Sequence, residues 1–197
     1  MGGSGTDDAD RLRAIVLSNA WMMRTLDVVR LSGLNDAWVG AGALRDLVWG
    51  TLFGHGFEPT AVRDVDVAFF DRGDLSRDVD QRATALLARM QPDAPWEASN
   101  QAAVHMWFHT HLGGEPVPPF GSVAEAIATW PETATAVAVR LGTDSEIEVC
   151  APHGLDDLLG GVWRRNPARV SVARSRERLA RHRPAERWPG VRVIPPA

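Results

Sequence analysis

The stretch from Trp38 to Asp71 constrains the fold more than any other part of this sequence. It opens with a short apolar step that ends at Gly40-Ala41-Gly42, and apolar residues at helical spacing follow. Beyond a loop over 50–59 that contains Gly and Pro, residues 64–70 show the two-residue period of a strand. This order predicts a strand, a tight glycine turn, a helix, a loop and a second strand.

Two carboxylates fall on one face of the second predicted strand. Because side chains alternate along a strand, Asp64 and Asp66 lie together, opposite Val65 and Val67, and roughly 7 Å apart. Paired carboxylates suit a hard cation such as Mg²⁺ or Mn²⁺, which keeps waters or phosphate oxygens in its remaining positions. The pattern predicts a metal site, although a strand start with two solvated acids has the same pattern.

The glycine turn predicts an anion site at the start of the following helix. A helix N-terminus offers N–H donors and a partial positive charge, and small residues let a phosphate approach the backbone. Arg45, in the first turn of this helix, can add donors for the same anion. Gly40, Ala41, Gly42 and Arg45 are therefore the predicted phosphate-binding residues, with a simple tight turn as the alternative. A phosphate anchor followed by a metal-binding strand is what phosphoryl transfer requires.

The remaining periodicity predicts an α+β fold with a small mixed β-sheet flanked by helices. The predicted elements are a helix from Asp10 to Val29, a helix from Val79 to Met90, a strand over Trp96–Ser99, a hairpin of Thr135–Leu141 with Glu146–Cys150, and a basic helix over Val172–His182. Residues 1–9 are expected to form a flexible lead-in, residues 10–163 the main domain, and residues 164–197 a basic tail packed on the same domain.

Charge and cysteine content narrow the kinds of site. All 21 basic residues are arginine, and nine of them lie in 164–187 against two acids. This basic tail predicts either contact with the acidic body or binding to nucleic-acid phosphates. The single cysteine, Cys150, excludes an internal disulfide and a cysteine-based zinc site. Without an apolar run of about 18 residues or a signal-peptide pattern, we expect a cytoplasmic protein with no membrane partner.

The chain contains Val39-Gly-Ala-Gly-Ala-Leu-Arg-Asp46 and, after a loop, Asp64-Val-Asp-Val67. These motifs resemble the nucleotidyltransferase superfamily of DNA polymerase β, especially the head domain of CCA-adding enzymes and poly(A) polymerases. That superfamily carries Gly-Gly-x-x-Arg-Asp at a helix start and Asp-x-Asp on a strand. Ala41 stands where the first glycine of the pair would fall, and its methyl group is expected to narrow the approach of a phosphate.

The chain also contains, in order, Asn100-Gln101, Trp130-Pro-Glu-Thr-Ala134, Ala151-Pro-His-Gly-Leu-Asp-Asp-Leu158, Asn166-Pro167 and Arg187-Trp-Pro189. Together with the first two motifs, these segments resemble a bacterial family of small nucleotidyltransferase-like proteins. The resemblance implies a minimal nucleotidyltransferase fold. It also implies a Mg²⁺- or Mn²⁺-dependent transfer of a nucleoside monophosphate from an NTP to an acceptor hydroxyl, with release of pyrophosphate. The resemblance does not identify the acceptor, and a small molecule, a protein and RNA stay open as alternatives.

The superfamily often takes a third carboxylate from a neighbouring strand. Glu148 is the expected third catalytic acid, because on the return strand of the hairpin it points away from Ile147 and Val149. Glu97 and Glu146 stay open as alternatives. Five further residues are expected to contact the ligating side chains and hold them in place: Asp71, Asn100, Gln101, His105 and Asp157.

Other functions fit parts of the same pattern. Ala41 and the open choice of a third acid fit a catalytically silent nucleotide-binding or regulatory module. The arginine-rich tail fits an RNA-binding module. His105, His109 and His111 have a spacing that a transition-metal site can use, although ordinary surface histidines have it too.

Overall fold

The computed structural model of this chain describes residues 4–106 and 118–197. In these residues the helices are α1 (Ser4–Leu17), α2 (Ala20–Leu31), α3 (Ala41–Phe53), α4 (Arg77–Met90), α5 (Val123–Ile127), α6 (Asp156–Leu159), α7 (Val172–His182) and α8 (Pro184–Arg187). The strands are β1 (Trp38–Gly40), β2 (Val65–Phe69), β3 (Trp96–Asn100), β4 (Ala138–Leu141), β5 (Ile147–Cys150), β6 (Val162–Trp163) and β7 (Arg192–Val193). None of the described helices is both long and apolar enough to cross a membrane.

Five strands form one mixed sheet in the order β3-β2-β1-β4-β5. β2 and β3 are parallel and are connected through α4, whereas β1 pairs antiparallel with β2 and β4, and β4 with β5. A second sheet joins β6 and β7 in parallel. The predicted α+β fold, a small mixed sheet flanked by helices, is confirmed, and the predicted hairpin is formed by β4 and β5.

The alternation of β2 follows the prediction and separates two hydrophobic clusters. Val65, Val67 and Phe69 are buried in the larger cluster, with residues of α1 to α4. Ala68 and Phe70 belong to a smaller cluster that includes residues of α5. Asp66 shares the second face but lies near the start of β2, where the sheet borders a cavity.

Two helices stand where the periodicity predicts one. α1 and α2 are separated at Asn19, whose side chain accepts a 2.9 Å hydrogen bond from the Met22 N–H and so caps α2. The prediction of a single helix over 10–29 is wrong at this point, because a capping asparagine competes with a continued helix. α1 also covers residues 4–9, which are predicted to be a flexible lead-in, since an aspartate in its first turn favours a helix start.

α3 continues through Gly50 to Phe53, past the point where the sequence predicts a loop. A β-carbon at Gly50 would lie 2.6 Å from the Gly56 carbonyl oxygen, so the absent side chain lets the following loop fold back on the helix. Gly50 therefore permits close packing of the loop against α3 and does not end the helix.

The basic C-terminal segment folds onto the rest of the chain. Arg178 of α7 forms an ion pair with the buried Glu132 at 2.7 Å. Trp188 packs edge-on against Trp49, with 5.2 Å between ring centroids. Of the two predicted roles for this segment, contact with the body is the one that the structure shows.

Candidate active site

A cavity of about 360 Å³ opens where four parts of the chain meet. The start of α3 forms one wall, and Asp64, Asp66 and Glu97 line a second. The other walls come from α7 and from the segment after α5 that contains Trp130. The cavity thus joins the predicted phosphate turn to the predicted metal-binding strand.

Gly42 brings the turn and the two aspartates together. A β-carbon placed on Gly42 would lie 3.4 Å from Asp64 Oδ1 and 3.9 Å from Asp66 Oδ2. The Gly42 N–H lies close enough to the Asp66 carboxylate to act against the rise in its pKa. The N-terminus of α3 therefore faces the same small space as both carboxylates, which is the arrangement expected for a phosphate beside a bound cation.

Glu97 adds a third carboxylate to this space. β2 and β3 are parallel, and their register places Glu97 directly beside Asp66. Burial, followed by the charges of Asp64 and Glu97, raises the pKa of Asp66 to about 7, against the opposite effects of the Gly42 N–H and Arg178. Three neighbouring acids repel one another, so a bound cation would relieve the repulsion.

The donor set fits a hard divalent cation. Among the described residues, no three His, Cys, Asp or Glu side chains form a ready-made metal cage. Mg²⁺ seldom uses such a cage, because one or two carboxylates hold it and its other ligands are waters and substrate phosphates. Asp64 and Asp66, with the exposed Glu97 beside them, supply that partial set.

The structure does not bring Glu148 into the cavity. This residue lies on β5, and β1 and β4 separate that strand from β2. Its carboxylate accepts hydrogen bonds from Arg140 at 2.9 and 2.7 Å, so its charge is already paired. Glu146 is exposed beside the hairpin turn. The expectation that Glu148 joins the two aspartates is therefore not met, and Glu97 occupies that position.

Of the first two positions of the glycine turn, Gly40 departs from its predicted place at the cavity, whereas Ala41 lies there as predicted. Gly40 is not among the described residues that line the cavity, and a β-carbon there would lie 2.6 Å from the Val137 carbonyl oxygen. Close packing therefore requires this glycine. Ala41 lines the cavity with a φ of +51°, in the left-handed region that favours glycine. Alanine at this point of the turn is strained.

We expect Ala41→Gly to raise the free energy of unfolding by up to about 1 kcal/mol. The left-handed conformation costs a non-glycine residue about 1–2 kcal/mol. That relief exceeds the roughly 0.5–1 kcal/mol lost through the greater freedom of glycine in the unfolded chain. Thermal unfolding is expected to show a Tm higher by roughly 2–4 °C. Ala43→Gly, in the same helical turn, is the control and lowers Tm; equal losses in both variants would contradict strain at Ala41.

Arg45 lies deeper than a phosphate-binding role requires. Its side chain is 3% exposed and donates two hydrogen bonds to Asp46 Oδ1, at 3.0 and 2.6 Å. Arg187 donates to the other oxygen of Asp46 at 3.0 Å. The Arg45 guanidinium lies between 5.3 and 5.8 Å from the ring centroids of Trp49, Trp163 and Trp188. Arg45 thus lines the cavity but also ties the start of α3 to the C-terminal segment.

Asn100 and Asp71 join the ends of two strands instead of supporting the cavity. The Asn100 side chain donates to the carbonyl oxygens of Asp71 and Asp74 at 2.7 and 2.9 Å. Its own amide oxygen accepts from the Asp71 N–H at 2.9 Å. Asn100 pairs with Phe69, at the end of β2 far from Asp66. Asn100 and Asp71 therefore stabilise the sheet and do not contact the cavity.

Gln101, His105 and Asp157 are also absent from the described lining of the cavity. Asp157 is held in an ion pair with a nearby arginine at 2.8 Å. In the described structure, the buried His105 Nδ1 atom has no hydrogen-bond partner. His109 and His111, which the transition-metal alternative requires, lie outside the described residues.

α7 brings into the cavity three residues that the motifs did not assign to a site: Arg178, Arg181 and His182. Their spacing of three and four positions places them on one helix face, and this periodicity is the sign that the sequence offers. Arg63, just before β2, lines the same cavity. Burial, followed by the charges of Arg45, Arg178 and Arg181, lowers the pKa of His182 to about 3, so its imidazole is neutral at pH 7.

Comparison with known proteins gives one family and several similar structures. A family model described as nucleotidyltransferase matches residues 27–193. A protein whose NMR structure reveals a CCA-adding enzyme head domain superposes with a TM-score of 0.76 at 27% identity, over 94% of this chain and 95% of that chain. A search of curated protein sequences finds no match.

A more distant structure extends the comparison. The Thermotoga maritima CCA-adding enzyme complexed with tRNA superposes with a TM-score of 0.55 at 12% identity. This chain covers 42% of that protein, while 94% of this chain is matched. The predicted resemblance to the head domain of CCA-adding enzymes is confirmed.

Proposed function

We propose that this chain, which belongs to the nucleotidyltransferase family, transfers a nucleoside monophosphate from a nucleoside triphosphate to an acceptor hydroxyl. The acceptor oxygen bonds to the α-phosphorus while the bond from that phosphorus to the α–β bridging oxygen breaks. Pyrophosphate leaves with the bonding electron pair, and the acceptor proton passes to solvent. Nucleotidyltransferases generally use divalent metals, and the cation proposed for this chain is Mg²⁺ or Mn²⁺.

One observation carries this proposal: the N-terminus of α3 and two aspartates face the same small space beside Gly42. Asp64 and Asp66 would hold a divalent cation, which would supply positive charge to the triphosphate and lower the pKa of the acceptor hydroxyl. The α3 N-terminus orients a phosphate with its N–H donors and its dipole. Glu97, the neighbour of Asp66 in the sheet, is the proposed third carboxylate in place of Glu148.

In this proposal, protonation of Asp66 determines the pH range in which the site can bind a cation. Burial and the charges of Asp64 and Glu97 raise its pKa to about 7, so in the metal-free protein the carboxyl is about half protonated at neutral pH. Only the carboxylate form is a metal ligand, and cation binding therefore releases this proton. The affinity for the cation is expected to fall as the pH falls below 7.

The proposal is tested by measuring pyrophosphate release from each ribonucleoside triphosphate with Mg²⁺ or Mn²⁺. tRNA is the first acceptor to include, because one matching structure is a CCA-adding enzyme complexed with tRNA. Product formation is expected to require the metal and to be lost in Asp64→Asn. A rate that survives both EDTA and this substitution would contradict the proposed mechanism.

Glu97→Gln and Glu148→Gln form a matched pair that identifies the third carboxylate. Glu97→Gln is expected to lower the rate or the metal affinity by about 10–100-fold, the range found when a group that supports a metal ligand is lost. Glu148→Gln is expected to leave the rate unchanged, because that carboxylate pairs with Arg140. Rates at a series of Mg²⁺ concentrations measure both effects, and the reverse order would return the role to Glu148.

Gly42→Ala is expected to separate function from stability. Its new methyl group would lie in ordinary van der Waals contact, 3.4 Å from Asp64 Oδ1, so the fold accepts it. The same methyl occupies the space where a phosphate approaches, and a displacement of about 1 Å can cost on the order of 100-fold in rate. Thermal unfolding and steady-state kinetics are the measurements. Gly5→Ala is the control, because a β-carbon there meets nothing within 4 Å; wild-type kinetics in Gly42→Ala would count against a phosphate at this turn.

A further inference from the structure

Among the described residues, five arginines line the cavity: Arg45, Arg63, Arg178, Arg181 and Arg187. Arg45 and Arg187 both donate to Asp46, which leaves Arg63, Arg178 and Arg181 to be explained. Arg178 and Arg181 come from α7, and Arg63 precedes β2. They share the cavity with Asp64 and Asp66, so the site combines an acidic part with a basic part. The basic part needs an explanation of its own.

A buried acid holds Arg178 in place. Glu132 is 0% exposed, and its two carboxylate oxygens accept hydrogen bonds from Arg178 Nε and Nη2 at 2.7 and 2.9 Å. A two-point contact of this kind fixes the orientation of the planar guanidinium as well as its position. Burial alone would lower the pKa of Arg178, but the pKa is raised overall. The causes are the hydrogen bond and charge of Glu132 and the charges of Asp66 and Asp64. The guanidinium therefore stays charged beside the proposed metal site.

Arg63 and Arg181 keep their charge available. Both are exposed, and within the described part of the chain neither forms an ion pair with a carboxylate. Arg181 Nη2 lies 3.2 Å from Nε2 of His182, a neutral acceptor that positions the side chain without cancelling its charge. An anion in the cavity would meet these guanidinium groups directly.

We propose that α7 supplies the polyphosphate-binding wall of this site, with Arg178, Arg181 and Arg63 contacting the β- and γ-phosphates of the bound nucleotide. This inference rests on the proposed nucleotidyl transfer. A triphosphate brings several negative charges close to the acidic part of the cavity, and guanidinium forks match phosphate oxygens in pairs. The same contacts stabilise pyrophosphate as it leaves with the electron pair of the broken bond.

The nucleotide is favoured over an RNA backbone as the source of these phosphates. The arginines concerned line a cavity that also contains the proposed metal ligands. Arg174 in α7 and Arg183, directly after α7, instead form ion pairs with Glu177 and Glu186, each at 3.0 Å. Arg176, exposed outside the cavity, donates to the Pro196 carbonyl oxygen at 3.4 Å. Arg178 and Arg181 instead face the cavity that contains the proposed metal ligands, and this position favours a bound nucleotide over an RNA strand along the helix surface.

Arg181→Gln tests this inference with little risk to the fold, because the side chain is exposed. The probe is α,β-methylene-ATP with Mg²⁺, whose α–β linkage cannot be cleaved, and calorimetric titration of the full chain measures its Kd. We expect Kd for this analogue to rise about 10-fold, which corresponds to about 1.4 kcal/mol, and Kd for AMP to change by less than about twofold. Arg176→Gln, on the same helix but outside the cavity lining, is the control and leaves both values unchanged.

Other outcomes would overturn the inference in distinguishable ways. Equal affinity of wild type and Arg181→Gln for the analogue would overturn it while leaving nucleotidyl transfer intact. Weaker tRNA binding with unchanged affinity for the analogue would also overturn it, since the arginine would then belong to the acceptor. A wild-type protein that neither binds the analogue nor depends on Asp64 for activity would overturn the proposed function together with this inference.

Discussion

Asp66→Asn is expected to lower the rate of nucleotidyl transfer on the order of 1,000-fold, about 4 kcal/mol of transition-state stabilisation. It is also expected to make the metal-free protein more stable at pH 8. The first effect follows from the loss of a proposed metal ligand that faces the α3 N-terminus. The second follows because the same carboxylate is held near two other acids without a cation. A lower rate together with a higher stability is expected when the replaced residue serves function but destabilises the fold.

The pH dependence gives the sign of the stability effect. The pKa of Asp66 is about 7 in the folded chain, raised by burial and by Asp64 and Glu97, against an ordinary value of 3.8. Between those values the folded state binds more protons than the unfolded state, so the Asp66 contribution to stability falls as the pH rises from about 4 to about 7. Above pH 7 the ionised Asp66 side chain lowers the free energy of unfolding by its full amount. Asparagine removes it, so the two proteins differ least near pH 4 and most above pH 7.

Thermal unfolding of the metal-free proteins, in EDTA from pH 5 to pH 8, measures this difference. Asp66 is only partly buried, so we expect about 1–2 kcal/mol at pH 8, or roughly 2–8 °C in Tm. Asp93→Asn removes an exposed carboxylate elsewhere and is the control, with no change of slope against pH. A wild-type transfer rate in Asp66→Asn, or a Tm difference that does not depend on pH, would contradict the role given to this carboxylate.

The face of a strand on which each side chain lies could be predicted from the sequence, but the order of the strands in the sheet could not. Alternation correctly placed Val65 and Val67 in the core and Asp66 on the other face of β2. The same reasoning favoured Glu148, yet strand order decides which acids meet, and that order depends on a parallel pairing of β2 with β3 across α4. Sequence periodicity contains no information on this pairing, so Glu97 could be named only as an alternative.

The role of Arg45 shows a second limit of reading motifs. Its position in the first turn of α3 was predicted, and the structure places it at the cavity as expected. Its burial was not predicted, because that depends on tryptophans far along the chain that surround the guanidinium, Trp163 and Trp188 among them. In the same way, the helical spacing of α7 could be recognised, while its docking depends on Glu132, an acid in a segment without a helix or strand pattern.

Arg178→Gln is expected to lower the free energy of unfolding by about 3–5 kcal/mol, because removing one partner leaves a buried charge uncompensated. The partner is Glu132, which has no exposed surface and uses both carboxylate oxygens in this pair. At 2–4 °C per kcal/mol, Tm is expected to fall by roughly 10 °C. Arg174→Gln breaks the exposed pair with Glu177 on the same helix and is expected to cost less than about 1 kcal/mol.

The double variant Glu132→Gln/Arg178→Gln separates stability from nucleotide binding. With neither charge buried, it is expected to recover most of the lost Tm, and a double-mutant cycle from thermal unfolding gives the coupling energy. Affinity for α,β-methylene-ATP is expected to stay low in the double variant, because the guanidinium that faces the proposed phosphates is still absent. Recovery of both properties would mean that Arg178 only holds α7 in place, whereas recovery of Tm alone makes Glu132 the positioning residue for an arginine that binds the nucleotide.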